Sequence, residues 1–129
     1  MSVGEENSLS IRIYGEKGGL EWHQMEPNTL LVHRLDQPTQ IYRTGNGYLG
    51  ESATAHSRIP VGHPEGYLEA FANIYRNFAA DIAGELSGEP APSYAKDYPT
   101  IKDGVRGMAF IEAVVKSSQN NAAWTELEL

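Results

Sequence analysis

The strongest constraint on how this chain folds is a two-residue alternation through residues 8–43, broken at short intervals by glycine and proline. From Ser8 to Tyr14, Leu9, Ile11 and Ile13 fall on one side, with Ser8, Ser10, Arg12 and Tyr14 on the other. That is the period of a strand with two unlike faces. The run Gly15-Glu16-Lys17-Gly18-Gly19 then offers the positive-φ positions that a hairpin turn uses. Alternation resumes over Leu20-Glu21-Trp22-His23-Gln24-Met25, and Pro27-Asn28 turns the chain again. Residues 29–35 form a third strand, Gln37-Pro38 a third turn, and residues 39–43 a fourth strand. Connections this short join only antiparallel neighbours. The chain therefore begins as an antiparallel meander.

The second face of that meander is not plainly polar, because Tyr14, Met25, Leu31 and Leu35 interrupt it. Two readings stay open: scattered surface apolarity, which is ordinary, or a sheet covered on both faces, by helices and by another chain. Residues 44–62 read as loop. A helix is expected from Pro64, a residue suited to the first helical position. Tyr67, Phe71, Ile74, Phe78 and Ile82 form its apolar stripe, opposite Glu69, Asn73, Arg76 and Asn77. It should end between Gly84 and Gly88. A second helix, opened by a capping box of Thr100 and Asp103, should reach about Ser118. Its Met108–Val115 segment is apolar almost all round, which predicts burial on more than one side. Asn120-Asn121 turns the chain, and Ala123–Leu127 can add a last strand. The fold class is thus α+β: a mainly antiparallel open sheet, meander plus C-terminal strand, with two helices packed on one face. No internal repeat is visible.

Composition narrows the function. With 129 residues the chain is one domain by length. Ten basic against 17 acidic residues give a formal charge of −7, which argues against nucleic acid and anionic membranes as partners. The absence of cysteine excludes disulfides, thiolate metal sites and cysteine nucleophiles. It fits a reducing, cytoplasmic setting. No apolar run approaches the roughly 18–20 residues of a membrane span.

Several residues carry candidate chemistry. Gly45-Asn46-Gly47-Tyr48-Leu49-Gly50 matches G-x-G-x-x-G and follows a strand. The dinucleotide fingerprint also needs a helix opening there and a later parallel strand, and neither is expected. The segment reads as a glycine-rich loop. His63, between Gly62 and Pro64 at the helix entrance, can serve as a general acid/base, bind a substrate hydroxyl, or cap the helix. Glu65 is explained by the helix dipole. His23 and His33 lie on neighbouring strands, and without a third ligand they read as cross-strand polarity, so no metal site is expected. Asp97, Tyr98, Asp103 and Arg106 read as capping and solvated ion pairs. No G-x-S-x-G, H-E-x-x-H or P-loop occurs.

Three longer blocks carry a resemblance. Val3–Asn7 leading into Ile11–Trp22, then Gly62–Tyr75, then Asp97–Thr100 with Asp103–Ala113 resemble the C-terminal domain of the glucose–fructose oxidoreductase/inositol dehydrogenase (Gfo/Idh/MocA) family. The resemblance covers about Val3 to Leu127. It implies an enzyme in which an N-terminal Rossmann domain precedes a largely antiparallel sheet domain. Such an enzyme acts on sugars, inositols and related polyols with NAD or NADP, and it assembles into homo-oligomers through the open sheet face. The family's Glu-Lys-Pro lysine and its Asp-x-x-x-His pair are absent here, as is the nucleotide fingerprint. Residues 1–129 are therefore expected to be a C-terminal substrate and oligomerisation domain, incomplete at its N-terminal end and lacking the Rossmann part. No catalytic residue and no cofactor-binding residue is assigned, and the chain alone is expected to be inactive. The resemblance places His63 and Tyr67 where substrate-facing residues are plausible. A stand-alone sugar-binding module, or a purely structural oligomerisation domain, is the alternative.

Overall fold

The computed structural model describes residues 2–129, in two compact units that divide at Tyr75/Arg76. The first unit holds the meander. Strands β1 (Ser10–Gly15), β2 (Gly18–His23), β3 (Thr29–Arg34) and β4 (Gln37–Arg43) form one antiparallel sheet in sequence order. The registers Arg12↔Glu21, Glu21↔Leu31 and Leu31↔Ile41 place Arg12, Tyr14, Glu21, His23, Leu31, His33 and Ile41 on one face. Ile11, Ile13, Leu20, Trp22, Leu30 and Val32 share the other, as the alternation dictates.

The turns differ in detail from expectation. Gly15, Gly18 and Gly19 are not among the residues with positive φ, so the Glu16-Lys17 turn does not use glycine's left-handed freedom. The need is for space: a Cβ on Gly18 would lie 2.5 Å from the His33 carbonyl oxygen, and one on Gly19 would lie 3.0 Å from that of Ile13. Gln37-Pro38 is not a turn either. It opens β4, an edge strand where a residue without an N–H is tolerated, and the chain reverses at Leu35-Asp36.

A short helix, α1 (Glu51–His56), interrupts the stretch read as loop. Helix α2 (Tyr67–Ser87) starts three residues after Pro64. The delay has a local cause: Glu69 turns its carboxylate back to accept the Gly66 N–H at 2.8 Å, and Gly66 O takes the first helical bond, from Ala70 N at 2.9 Å. Glu65 thus lies outside the helix. The helix stops at Gly88, whose φ of +73° is the left-handed ending that glycine supplies. A 3₁₀ turn (Ser93–Lys96) leads to α3 (Ile101–Gln119), opened by the expected Thr100/Asp103 capping box.

Residues 123–129 contain no strand, so the expected C-terminal strand does not form. The expected burial of α3 fails as well: Phe110 is 62% and Ile111 54% exposed, and α3 has no buried residue. Among the described residues Ala95 is the only buried hydrophobic residue. The apolar periodicity is real, but its partners lie outside this chain.

Helix α2 inverts its pattern in the same way. Its stripe from Tyr67 to Ile82 is half-exposed, while Asn73 (7% exposed) and Asn77 (1%) on the other side are buried. Both amides are satisfied, as buried polar groups must be. Asn73 Nδ2 donates to His56 O at 2.8 Å and its Oδ1 accepts from Arg58 Nε at 2.7 Å. Asn77 Nδ2 donates to Asp97 O at 3.0 Å.

Candidate functional site

Within the first unit, an open cleft of about 840 Å³ lies between the Leu9/Trp22 face of the sheet and the first turns of α2. Trp22, Met25, Tyr67 and Phe71 supply its apolar wall, and Gln24, His56, Glu65, Glu69 and Asn73 its polar margin. Trp22 is held by its indole N–H, which donates to Pro27 O at 3.1 Å. Tyr67 packs on Phe71 with ring centroids 4.7 Å apart, a helical i,i+4 neighbour.

The loop from Ser57 to Gly66 forms one rim, and Asn28 fixes it. Asn28 Nδ2 donates to Glu65 O at 2.8 Å, and its Oδ1 accepts from Glu65 N at 3.2 Å and from Thr44 Oγ1 at 2.9 Å. One side chain therefore ties the β2–β3 turn to the helix entrance. Glu65 Oε2 in turn accepts the Arg58 N–H at 2.9 Å. The dipole role read for Glu65 is replaced by this loop contact.

Of the two residues placed at the site by resemblance, Tyr67 lines the cleft and His63 does not. His63 sits on the exposed tip of the rim loop, its Nδ1 3.3 Å from Pro60 O. Gly62, with φ +85°, shapes that tip. Trp22, Gln24, Glu69 and Asn73 were not singled out as site residues. Trp22 and Gln24 read only as strand positions, and the two helical residues read as a solvated face. The available signal was the spacing of four between Glu69 and Asn73, which sets both on one side of the helix.

The chemistry of the cleft follows from what its polar groups already do. The Gly66 N–H holds the Glu69 carboxyl below the usual glutamate range, so it is ionised at neutral pH and engaged in the helix entrance. Asn73 is likewise committed to His56 and Arg58. Such a surface can stack a ring's C–H face on aromatic side chains. It presents no nucleophile–base pair of the kind that covalent catalysis requires.

On the open sheet face, Glu21 gathers the charged groups. Its carboxylate meets Arg12 Nη2 at 2.8 Å, His23 Nε2 at 2.8 Å and His33 Nε2 at 3.8 Å. The hydrogen bond to His23, helped by the charge of Arg12, lowers the Glu21 pKa against an opposing effect of burial. His23 and His33 do face one another, as neighbouring strands allow. Among the described residues no group of three or more His, Asp and Glu could hold a metal ion.

The glycine-rich loop does not fit a dinucleotide. A helix does open after Gly50, contrary to the sequence reading, but it is six residues long and begins with an acidic residue, Glu51. That carboxylate would oppose a pyrophosphate. Gly47 and Gly50 have no neighbour within 4 Å of a built Cβ, so neither is there to let a backbone approach. The strand before the loop is the edge of an antiparallel sheet, not part of a parallel βαβ unit. No helix among the described residues is long and apolar enough to cross a membrane.

Comparison with known proteins bears on the whole chain. Residues 1–127 match the C-terminal alpha/beta domain of the GFO_IDH_MocA oxidoreductase family. An uncharacterized oxidoreductase, YfiI, of Bacillus subtilis (strain 168) is 34% identical over 118 residues, covering 92% of this chain and 30% of that protein. The crystal structure of an oxidoreductase from Sinorhizobium meliloti is 45% identical with a TM-score of 0.88, over 97% of this chain and 34% of its own. An inositol dehydrogenase homolog from Azotobacter vinelandii, solved with NADH and myo-inositol, is 34% identical with a TM-score of 0.81, over 96% of this chain and 33% of its own. The chain spans about a third of the length of these relatives.

Proposed function

This chain belongs to the Gfo/Idh/MocA oxidoreductase family as a portion of its C-terminal alpha/beta domain, and from that premise we propose that it is the substrate-side part of an NAD(P)-dependent sugar or polyol oxidoreductase, inactive by itself. The observation that carries this is the pairing of an aromatic cleft, walled by Trp22, Tyr67 and Phe71, with a glycine loop unsuited to a dinucleotide. Hydride transfer needs a nicotinamide held against the substrate. The grip on NAD or NADP therefore belongs to an N-terminal Rossmann domain outside this sequence. The relative solved with NADH and myo-inositol supports both the cofactor and the substrate class. Tyr67 stacks or hydrogen-bonds the polyol from the cleft wall, and His63 reaches it from the rim loop that Asn28 fixes.

The open face bearing Arg12, Glu21, Leu31 and Ile41 is the subunit contact, which accounts for apolar residues among its charges. The enzyme works in the cytoplasm, in keeping with a chain free of cysteine.

Titration calorimetry with NAD(H), NADP(H) and a panel of sugars and inositols tests the reading. No dinucleotide binding and no turnover is expected. Tight dinucleotide binding by this chain overturns it. Sugar binding without cofactor would instead identify a stand-alone binding module, and stable oligomers with no ligand at all would identify a structural one. In the longer enzyme, His63→Gln and Tyr67→Ala should each raise KM for the polyol about tenfold, the scale of one lost hydrogen bond.

A further inference from the structure

The two edges of the sheet are treated differently. On β4, Pro38 has no N–H to offer, and the ladder to β3 is irregular between Val32 and Arg34. Thr44 N bonds inward to Asn28 O at 3.3 Å, so the Arg43 N–H points outward, and the Tyr48 hydroxyl accepts it at 2.8 Å. An edge-to-face contact with Tyr42, centroids 5.1 Å apart, keeps Tyr48 there. Proline, an irregular ladder and a capped N–H are the devices by which an edge strand is kept from pairing.

Strand β1 has none of them. Leu9 O accepts Gln24 N at 2.9 Å, so odd-numbered residues bond toward β2 and the N–H and C=O groups of Ser10, Arg12 and Tyr14 point outward. No strand pairs with them. Proline and lysine are both absent from Ser10–Gly15. The one charge, Arg12, lies across the sheet on Glu21 at 2.8 Å and does not guard the edge. Ile11 (47% exposed) and Ile13 (56%) flank it on the other face.

We infer that β1 is a strand-addition site and that its occupant is β1 of a second copy of this chain, paired antiparallel about a two-fold axis at Ile13. This goes beyond the proposed function and does not rest on it. Parity selects the register. Pairing Ile13 with Ile13 of the second copy keeps both apolar faces continuous and sets Arg12 opposite Tyr14 in each direction, each pair exchanging both backbone bonds. Arg12 already lies over the Tyr14 ring within one chain, 5.7 Å from its centroid. The neighbouring register would set Arg12 against Arg12, and like charges directly opposite are unfavourable.

Sedimentation at graded concentration, with amide hydrogen exchange, tests the inference. The wild-type chain should reach at least twice its 14.2 kDa mass. The Arg12 and Tyr14 amides should exchange about tenfold or more slowly in the assembled state than on dilution. Arg12→Pro removes an outward N–H and should lower the assembly by one two-fold step, whereas Arg12→Ala keeps the N–H and should assemble as wild type. Ile13→Lys, which sets two lysines face to face, should behave as Arg12→Pro, and circular dichroism confirms that each variant is folded. A monomeric wild type, or Arg12 and Tyr14 amides that exchange as freely when concentrated as when dilute, overturns the inference. Assembly lost in Ile41→Glu but kept in Arg12→Pro overturns it too, while leaving the open-face contact of the proposed function standing.

Discussion

At Asp103 a single carboxylate decides how α3 begins. It accepts the Thr100 backbone N–H at 2.8 Å and the Thr100 hydroxyl at 2.7 Å, and these bonds lower its pKa. A group whose folded pKa is depressed adds stability above its unfolded pKa, about 3.9 for aspartate, and loses it as the pH falls through the folded value. Asp103→Asn should therefore lower the thermal midpoint at pH 7, and the gap to wild type should close as the pH falls below about 4. Asn28 is the second such residue. Asn28→Ala removes bonds to Glu65 and Thr44 and should cost about 1–3 kcal/mol in urea unfolding. The Glu65 amide should then exchange faster, because its acceptor is gone. The Asp103 contact was legible as a capping box. The Asn28 contact was not, because it joins residues 37 apart in sequence.

Among the elements, the glycines separate two kinds of need. Gly18→Ala would drive a Cβ to 2.5 Å from a backbone oxygen of β3, and it should weaken the sheet by about 1–3 kcal/mol. Gly104→Ala lies inside α3 with nothing within 4 Å. It should stabilise that helix by about 0.8–1 kcal/mol, seen as a higher urea midpoint. Strands β1 to β4 and helices α2 and α3 were readable because period and turn residues are local signals. The start of α2 was missed because Glu69 caps Gly66 in place of a helix running from Pro64. Helix α1 was missed because Glu51–His56 carries no apolar stripe. The last strand was expected from alternation alone, but alternation does not supply a neighbour to pair with.

For the whole molecule, the large apolar side chains of α3 and of the α2 stripe lie exposed. Calorimetric unfolding of the isolated chain should show a heat-capacity change clearly below the usual 12–15 cal/mol/K per residue, roughly, because that quantity tracks apolar burial. A normal value would mean that the stripes are covered in solution. The sequence by itself determined the order of elements, the two faces of the meander and the family, since periodicity, turn chemistry and long ordered motifs are properties of neighbouring residues. Only the tertiary structure decided which face of α2 is buried, that Tyr67 meets Trp22 while His63 stays on the rim, and that one sheet edge is capped while the other is open. Those outcomes depend on which distant groups come within hydrogen-bond or van der Waals reach, and no periodicity encodes that.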